Sequence, residues 1–222
     1  GKEIGFTNEK YEAAGAKILN TAAEVYKKSE LVVKVKEPME TEFQYLNSDI
    51  TLFTYLHLAG NPSLAKKLID TGVRGIAYET VTSPDNTYPL LAPMSAIAGQ
   101  IAFNVGNYFL LKQNKGRGVL IGTLDGFDLG LVTIIGCGVA GEESLQKAIN
   151  NGVEVNLIDL SENRLAELKS KYGDKKINYI LSTPDTIAES IKDSDLILGS
   201  VYSLGKNAPK VVTDSMLDAV KP

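Results

Sequence analysis

Cysteine and histidine are each used once in 222 residues, at Cys137 and His57. A lone cysteine excludes an internal disulfide and fits a reducing compartment. No Cys/His cluster offers metal ligands, so no metal is expected. Runs of about 18 apolar residues are missing, and with them any support for a membrane span. The longest apolar stretch, Met94–Leu111, is broken by Gln100, Asn104 and Asn107 and reads as a buried or interdomain helix. Basic residues are scattered and the formal net charge is -4, which leaves no electrostatic footprint for nucleic acid. No secretory or transit pattern opens the chain, so the expected location is cytoplasmic. What remains is ordinary for a globular protein: 44% hydrophobic and 23% charged residues, enough for a packed core.

Strands and helices alternate along the chain, which argues for parallel α/β sheets. "SELVVKVKEP" gives a β-branched strand that Pro38 stops, and "DITLFTYLHLA" gives a second. "NPSLAKKLIDTG" is a helix with Asn61 as N-cap, Pro62 at the first position and Gly72 past the end. "VRGIAYETV" is a third strand. The loop Thr82–Pro93 is placed as a hinge, and the expected division is residues 1–90 against residues 91–222. The second part reads as a Rossmann-like, doubly wound parallel sheet of β-α-β-α-β-α-β order, the first as a second α/β domain.

The densest signal is Gly136-Cys137-Gly138-Val139-Ala140-Gly141, a G-x-G-x-x-G turn between the strand Val132–Ile135 and a helix expected over Glu142–Asn151. Gly136 permits the tight turn, Gly138 lets the backbone approach a pyrophosphate, and Gly141 lets helix and strand pack closely. Val139 and Ala140 complete the turn, whose N–H groups and helix dipole favour negative charge. Asp159 ends the next strand, about 20 residues on, where a carboxylate accepts hydrogen bonds from ribose hydroxyls and repels a 2′-phosphate. NAD is therefore expected over NADP. Three charged neighbours complicate this. Glu142 and Glu143 suit the helix dipole but would compete with a pyrophosphate if they faced it. Arg164, just past Asp159, either touches the cofactor and softens discrimination against NADP or is a surface residue. Cys137 reads as a small buried side chain without redox duty.

Lys36 closes the strand "LVVKVK" and His57 comes near the end of "TLFTYLH", the carboxyl ends where open α/β sheets bind ligands. Each also has a structural alternative, an edge-strand lysine and a core histidine. Lys34 shares a face with Lys36, so periodicity does not choose between them.

In order along the chain stand "KYEAAGAKIL", "KVKEP", "LFTYLHLA", "IAYETV", "YPLLAPMS", "GRGVLIG", "VTIIGCGVAG" and "NAPKVV". Together they resemble the alanine dehydrogenase family, which is related to the NAD-binding subunit of proton-translocating transhydrogenase. The resemblance implies NAD-dependent interconversion of L-alanine with pyruvate and ammonia. It implies that Lys36 holds the substrate and polarises its carbonyl, and that His57 is the acid/base residue. It places Met94 at the substrate, Ser95 at the cofactor and Val201 in the cofactor groove, and it implies a homo-hexamer. The transhydrogenase subunit lacks the lysine and histidine pair, so that alternative fits less well. A non-catalytic NAD-binding relative is the other alternative.

The sequence departs from the family at Ala96 and Gln100, over Gly122–Phe127, and over Ser203–Lys210. The family carries an arginine-bearing strand before the part that begins here and a catalytic aspartate after the part that ends here. Both domains are therefore expected to be partial and the chain to be an internal piece, with little or no dehydrogenase activity by itself.

Overall fold

A computed structural model describes residues 1–173, 175–203 and 206–221, the side chain of Asp128 excepted. The chain forms two compact units, Gly1–Thr82 and the part from Ser83 on. The division falls inside the loop expected as a hinge, ahead of residue 90, and Thr87 and Tyr88 help wall a cavity of the second unit.

The first unit opens with two short helices, α1 (Asn8–Ala13) and α2 (Ala22–Lys27), then builds a three-stranded parallel sheet from β1 (Leu31–Val33), β2 (Thr51–Thr54) and β3 (Arg74–Ala77), in that order. Its core gathers Tyr26, Val32, Leu46, Ile50, Leu52, Leu56, Leu64 and Leu68. Helix α3 (Pro62–Thr71) links β2 to β3. The Asn61 side chain accepts from the Leu64 amide at 3.1 Å, and Gly72 takes a left-handed φ of 73° that ends the helix.

Both strands are shorter than their apolar runs suggest. Strand β1 stops at Val33, so Lys36 lies beyond it; β2 stops at Thr54, so His57 lies beyond it. The ladder weakens gradually, through Lys34 N–H to the Phe53 carbonyl at 3.1 Å and Tyr55 N–H to the Val35 carbonyl at 3.3 Å.

The second unit begins with the long helix α4 (Ala92–Leu110) and a small antiparallel hairpin, β4 (Gly122–Leu124) with β5 (Phe127–Leu129). The main sheet follows: β6 (Leu131–Ile135), α5 (Val139–Asn150), β7 (Glu154–Asp159), α6 (Glu162–Tyr172), β8 (Ile177–Leu181), α7 (Pro184–Lys192) and β9 (Leu196–Gly199), before the short α8 (Asp214–Leu217). All four strands are parallel in the order β8-β7-β6-β9, the doubly wound arrangement expected. Both faces are covered, so β6 and β7 read as continuous apolar runs. Val132, Ile134, Val155 and Leu157 meet Phe103, Leu145 and Leu168 on one side. Ile135 and Ile158 meet Ile187 and Ile191 on the other.

Helix α4, expected as a buried or interdomain helix, is buried only in part. Phe103 and Leu110 enter the core, while Ile97, Ile101, Val105, Tyr108 and Phe109 are exposed. At Gly99 it comes so near the start of α5 that a Cβ would stand 2.1 Å from the Ala140 carbonyl oxygen. The Ser144 hydroxyl donates to the Gly99 carbonyl at 2.8 Å, locking that approach.

Candidate functional site

The carboxyl ends of β6, β7, β8 and β9 open onto a cavity of about 680 Å³. It lies where the strand order reverses on either side of β6, the place where such sheets bind ligands. Gly136, Cys137, Gly138, Val139 and Ala140 form one wall, Ile158 and Asp159 another, and Ser95 closes in from α4. Val201 lines it as well. Met94 does not; it is exposed at the start of α4. Ser182, Ser200 and Tyr202 also line the cavity and escaped sequence reasoning, which weighted the glycine motif over the ends of β8 and β9.

The glycines are explained by what surrounds them. Gly136 has φ 95°, and a Cβ there would meet the Ser200 carbonyl oxygen at 2.8 Å. A Cβ on Gly141 would stand 1.9 Å from the Gly136 carbonyl oxygen. A Cβ on Gly138 would meet nothing within 4 Å, so its open side belongs to whatever fills the cavity. Helix α5 starts at Val139 rather than at Glu142, which puts Val139, Ala140 and Gly141 in its first turn. Side-chain caps close the N-termini of α2, α3, α6, α7 and α8; α5 has none, so its first amides face the cavity without a protein side-chain acceptor. The cradle fits a pyrophosphate.

The Asp159 carboxylate accepts from the Cys137 amide at 2.6 Å and from the Ser161 amide at 2.9 Å. Arg164 departs from its expected place at the cofactor. It is absent from the cavity wall: its Nε donates to the Cys137 carbonyl at 2.9 Å, and its terminal nitrogens bond Glu167 at 2.7 Å and Glu142. Glu142 and Glu143 do not contend with a pyrophosphate either. Glu142 also takes Lys171 and Tyr172, and Glu143 takes Gln100. The Cys137 thiol is buried and points to the Ile158 carbonyl; burial, with the Asp159 charge adding, pushes its pKa up and keeps it an inert thiol.

In the first unit, Lys36, His57 and Glu79 all follow the carboxyl ends of adjacent strands. His57 sits in the left-handed region, φ 50° and ψ 36°. Glu79 holds that turn: its buried carboxylate accepts the His57 amide at 2.6 Å and the Leu56 amide at 3.2 Å. The Tyr55 ring lies nearly parallel to the imidazole, 5.9 Å away. The Thr54 hydroxyl donates to the Lys36 carbonyl at 2.8 Å, fixing the backbone of that lysine. The Lys36 ammonium is exposed and pairs with Glu37 at 3.2 Å. The Glu37 carboxyl lies below its usual range, through its own backbone N–H first and then Lys36 and His57. Lys34 is different. It bonds the buried Glu42, which also takes Tyr26 at 3.1 Å and the Met39 amide at 2.7 Å. The two lysines therefore separate: Lys34 is structural and Lys36 is available. Glu79, the acid of "IAYETV", was missed although it follows a strand end beside β2.

Of the departures from the family pattern, Gly122–Phe127 forms the β4–β5 hairpin, while Leu204 and Gly205 within Ser203–Lys210 lie outside the described residues. Among the described residues no helix is long and apolar enough to cross a membrane.

This sheet order and this uncapped, glycine-lined helix start define a dinucleotide-binding α/β protein. The family models described as alanine dehydrogenase/PNT, N-terminal domain and C-terminal domain match residues 1–98 and 102–222. The chain belongs to the alanine dehydrogenase/PNT family, as the motifs implied. It is 42% identical over 222 residues to the alanine dehydrogenase of Methanococcus maripaludis, covering 100% of this chain and 59% of that protein. With the alanine dehydrogenase of Bacillus subtilis it is 44% identical, over 100% of this chain and 58% of the relative. A solved L-alanine dehydrogenase superimposes with a TM-score of 0.85 at 38% identity, over 98% of this chain and 60% of that one. A transhydrogenase from Sinorhizobium meliloti shares the fold, with a TM-score of 0.72 at 23% identity over 97% of this chain and 62% of that one. The chain spans about three-fifths of the length of the curated relatives it matches.

Proposed function

We propose that this chain carries the NAD cradle and the lysine–histidine pair of an NAD-dependent alanine dehydrogenase. The reaction converts L-alanine, NAD⁺ and water to pyruvate, ammonium, NADH and a proton, and runs in both directions. The cradle of α5 carries the cofactor half of this reading; the identity with named alanine dehydrogenases supports the substrate half.

When bound, the nicotinamide supplies a two-electron acceptor for the hydride on the alanine Cα. The chain's own residues then have limited duties. First-turn amides of α5 hold the pyrophosphate, Asp159 accepts ribose hydroxyls, and Gly138 leaves room for both. Lys36 donates to the substrate's carbonyl or carboxylate oxygen. His57 takes a proton from water as it adds to the imino carbon, and returns one as ammonia leaves. The Glu79 anchor fixes the backbone from which the imidazole projects. A homo-oligomer, hexameric by resemblance to the family, and a cytoplasmic location complete the proposal. The retained Lys36 and His57 favour it over a non-catalytic relative.

Formation of NADH from L-alanine, followed at 340 nm on the full-length protein, tests it. Activity that falls at least about 100-fold in His57→Ala, with NADH binding intact, supports the assignment. Binding of NADH with no alanine turnover in the wild type would sink the enzyme reading while sparing the cofactor one.

A further inference from the structure

We propose that Glu142 sets the choice between NAD and NADP by holding Arg164 away from the ribose. The inference rests on the cofactor reading above and concerns what a second phosphate would meet. A 2′-phosphate needs a cation, and a guanidinium suits it because its planar fork presents paired N–H donors. Arg164 stands in the first turn of α6, whose N-cap Ser161 shares the Asp159 carboxylate, so it occupies the same strand–helix corner as the ribose acceptor. By position it is the cation to meet that phosphate.

The structure commits its donors elsewhere. Nε holds the Cys137 carbonyl at 2.9 Å, and the terminal nitrogens hold Glu167 at 2.7 Å and Glu142. These ties are unequal. Glu167 is 64% exposed, so that pair is a rim contact of little weight. Glu142 is only 15% exposed and is fastened twice more, by the Lys171 ammonium at 2.6 Å and the Tyr172 hydroxyl at 2.9 Å. Burial opposes its charge, yet the bonds from Lys171, Tyr172 and Arg164 outweigh burial and keep the carboxyl ionised. Glu142 therefore neutralises Arg164 and fixes its direction. An incoming 2′-phosphate meets Asp159 with no released cation from Arg164 to offset it.

Glu142→Gln keeps the shape and removes the charge. In the full chain, calorimetric titration with NADH and with NADPH at one fixed salt concentration should show the NADPH-to-NADH affinity ratio rising about tenfold. Adding Arg164→Met to E142Q should remove that gain. A gain that persists in the double variant means that another cation, such as Lys171, carries it, and overturns the proposal. So does an unchanged ratio in an E142Q protein that still binds NADH. If E142Q does not fold, Glu142→Asp draws the carboxylate back by one methylene and should show a smaller gain of the same sign; no gain there overturns the proposal too. A wild type that binds neither nucleotide sinks the cofactor reading itself, and this inference with it.

Discussion

The Asp159 carboxylate accepts a hydrogen bond from the Cys137 amide at 2.6 Å, tying the end of β7 to the glycine turn after β6. Its other oxygen accepts the Ser161 amide at 2.9 Å. One side chain thus orders the turn, starts the next helix and offers its remaining lone pairs to a ribose. The two amides are held by different oxygens, and an asparagine puts a non-accepting NH2 group in one of those places. Asp159→Asn should therefore cost about 1–3 kcal/mol of stability, besides weakening NADH binding. Calorimetric unfolding without ligand checks this, and an unshifted Tm would refute the double tie.

Gly138 and Gly141 should separate binding from folding. Gly138→Ala adds a methyl where nothing stands within 4 Å and where φ is an ordinary -65°. Its Tm should hold while NADH affinity falls. Gly141→Ala drives a methyl to 1.9 Å from the Gly136 carbonyl oxygen, so the helix must move. Its Tm should fall by the equivalent of about 1–3 kcal/mol. Equal Tm values for the two variants would contradict the packing described.

The two lysines of "KVKEP" should fail differently. Lys34→Met leaves the buried Glu42 without its cation and should destabilise the first unit by about 1–3 kcal/mol. Lys36→Met loses only an exposed pair with Glu37 and should leave Tm nearly unchanged while abolishing alanine turnover. The reverse pattern, in thermal melts and 340 nm assays, would exchange their roles.

Acid should find Glu42. Burial opposes its charge, but Lys34, the Met39 amide and Tyr26 outweigh burial and hold the carboxyl below its usual range. A depressed folded pKa gives stability that is complete above the unfolded value of about 4.3 and is lost as pH falls through the folded value. Tm measured from pH 7 downward should therefore drop in the wild type below about pH 4.3 more steeply than in Glu42→Gln. Parallel curves would remove Glu42 from the account.

Much of this was legible in the sequence because the signals are local. The run Leu131–Ile135, the spaced glycines and Asp159 lie within one β-α-β unit, and each constrains the next. Asn61, Pro62 and Gly72 marked α3 for the same reason. The misplaced features depend on partners distant in sequence. Nothing near Arg164 says that Glu142, on another helix, will claim it. Nothing near Lys34 says that Glu42 will bury against it, and β1 reads longer than it is because the lysines alternate like strand residues. His57 was found by its rarity, but its left-handed backbone comes from Glu79, a residue of the following strand end. The exposed face of α4 shows the limit of hydropathy, which reports composition and not what covers it.

The strand order has a consequence for how the molecule is made. Strand β6 lies between β7 and β9, and β9 leaves the ribosome after β6, β7 and β8. Until Leu196–Gly199 emerge, one edge of β6 carries unpaired amides, and the Ser200 carbonyl that hems in Gly136 is not yet in place. Pairing across such a separation is slow, because the loop between must be ordered first. The nucleotide cradle is thus finished only once β9 has emerged. Ligand present in the cell rewards the completed sheet rather than guiding its assembly, and the nascent chain meets its greatest risk of mispairing while β6 waits for its second neighbour.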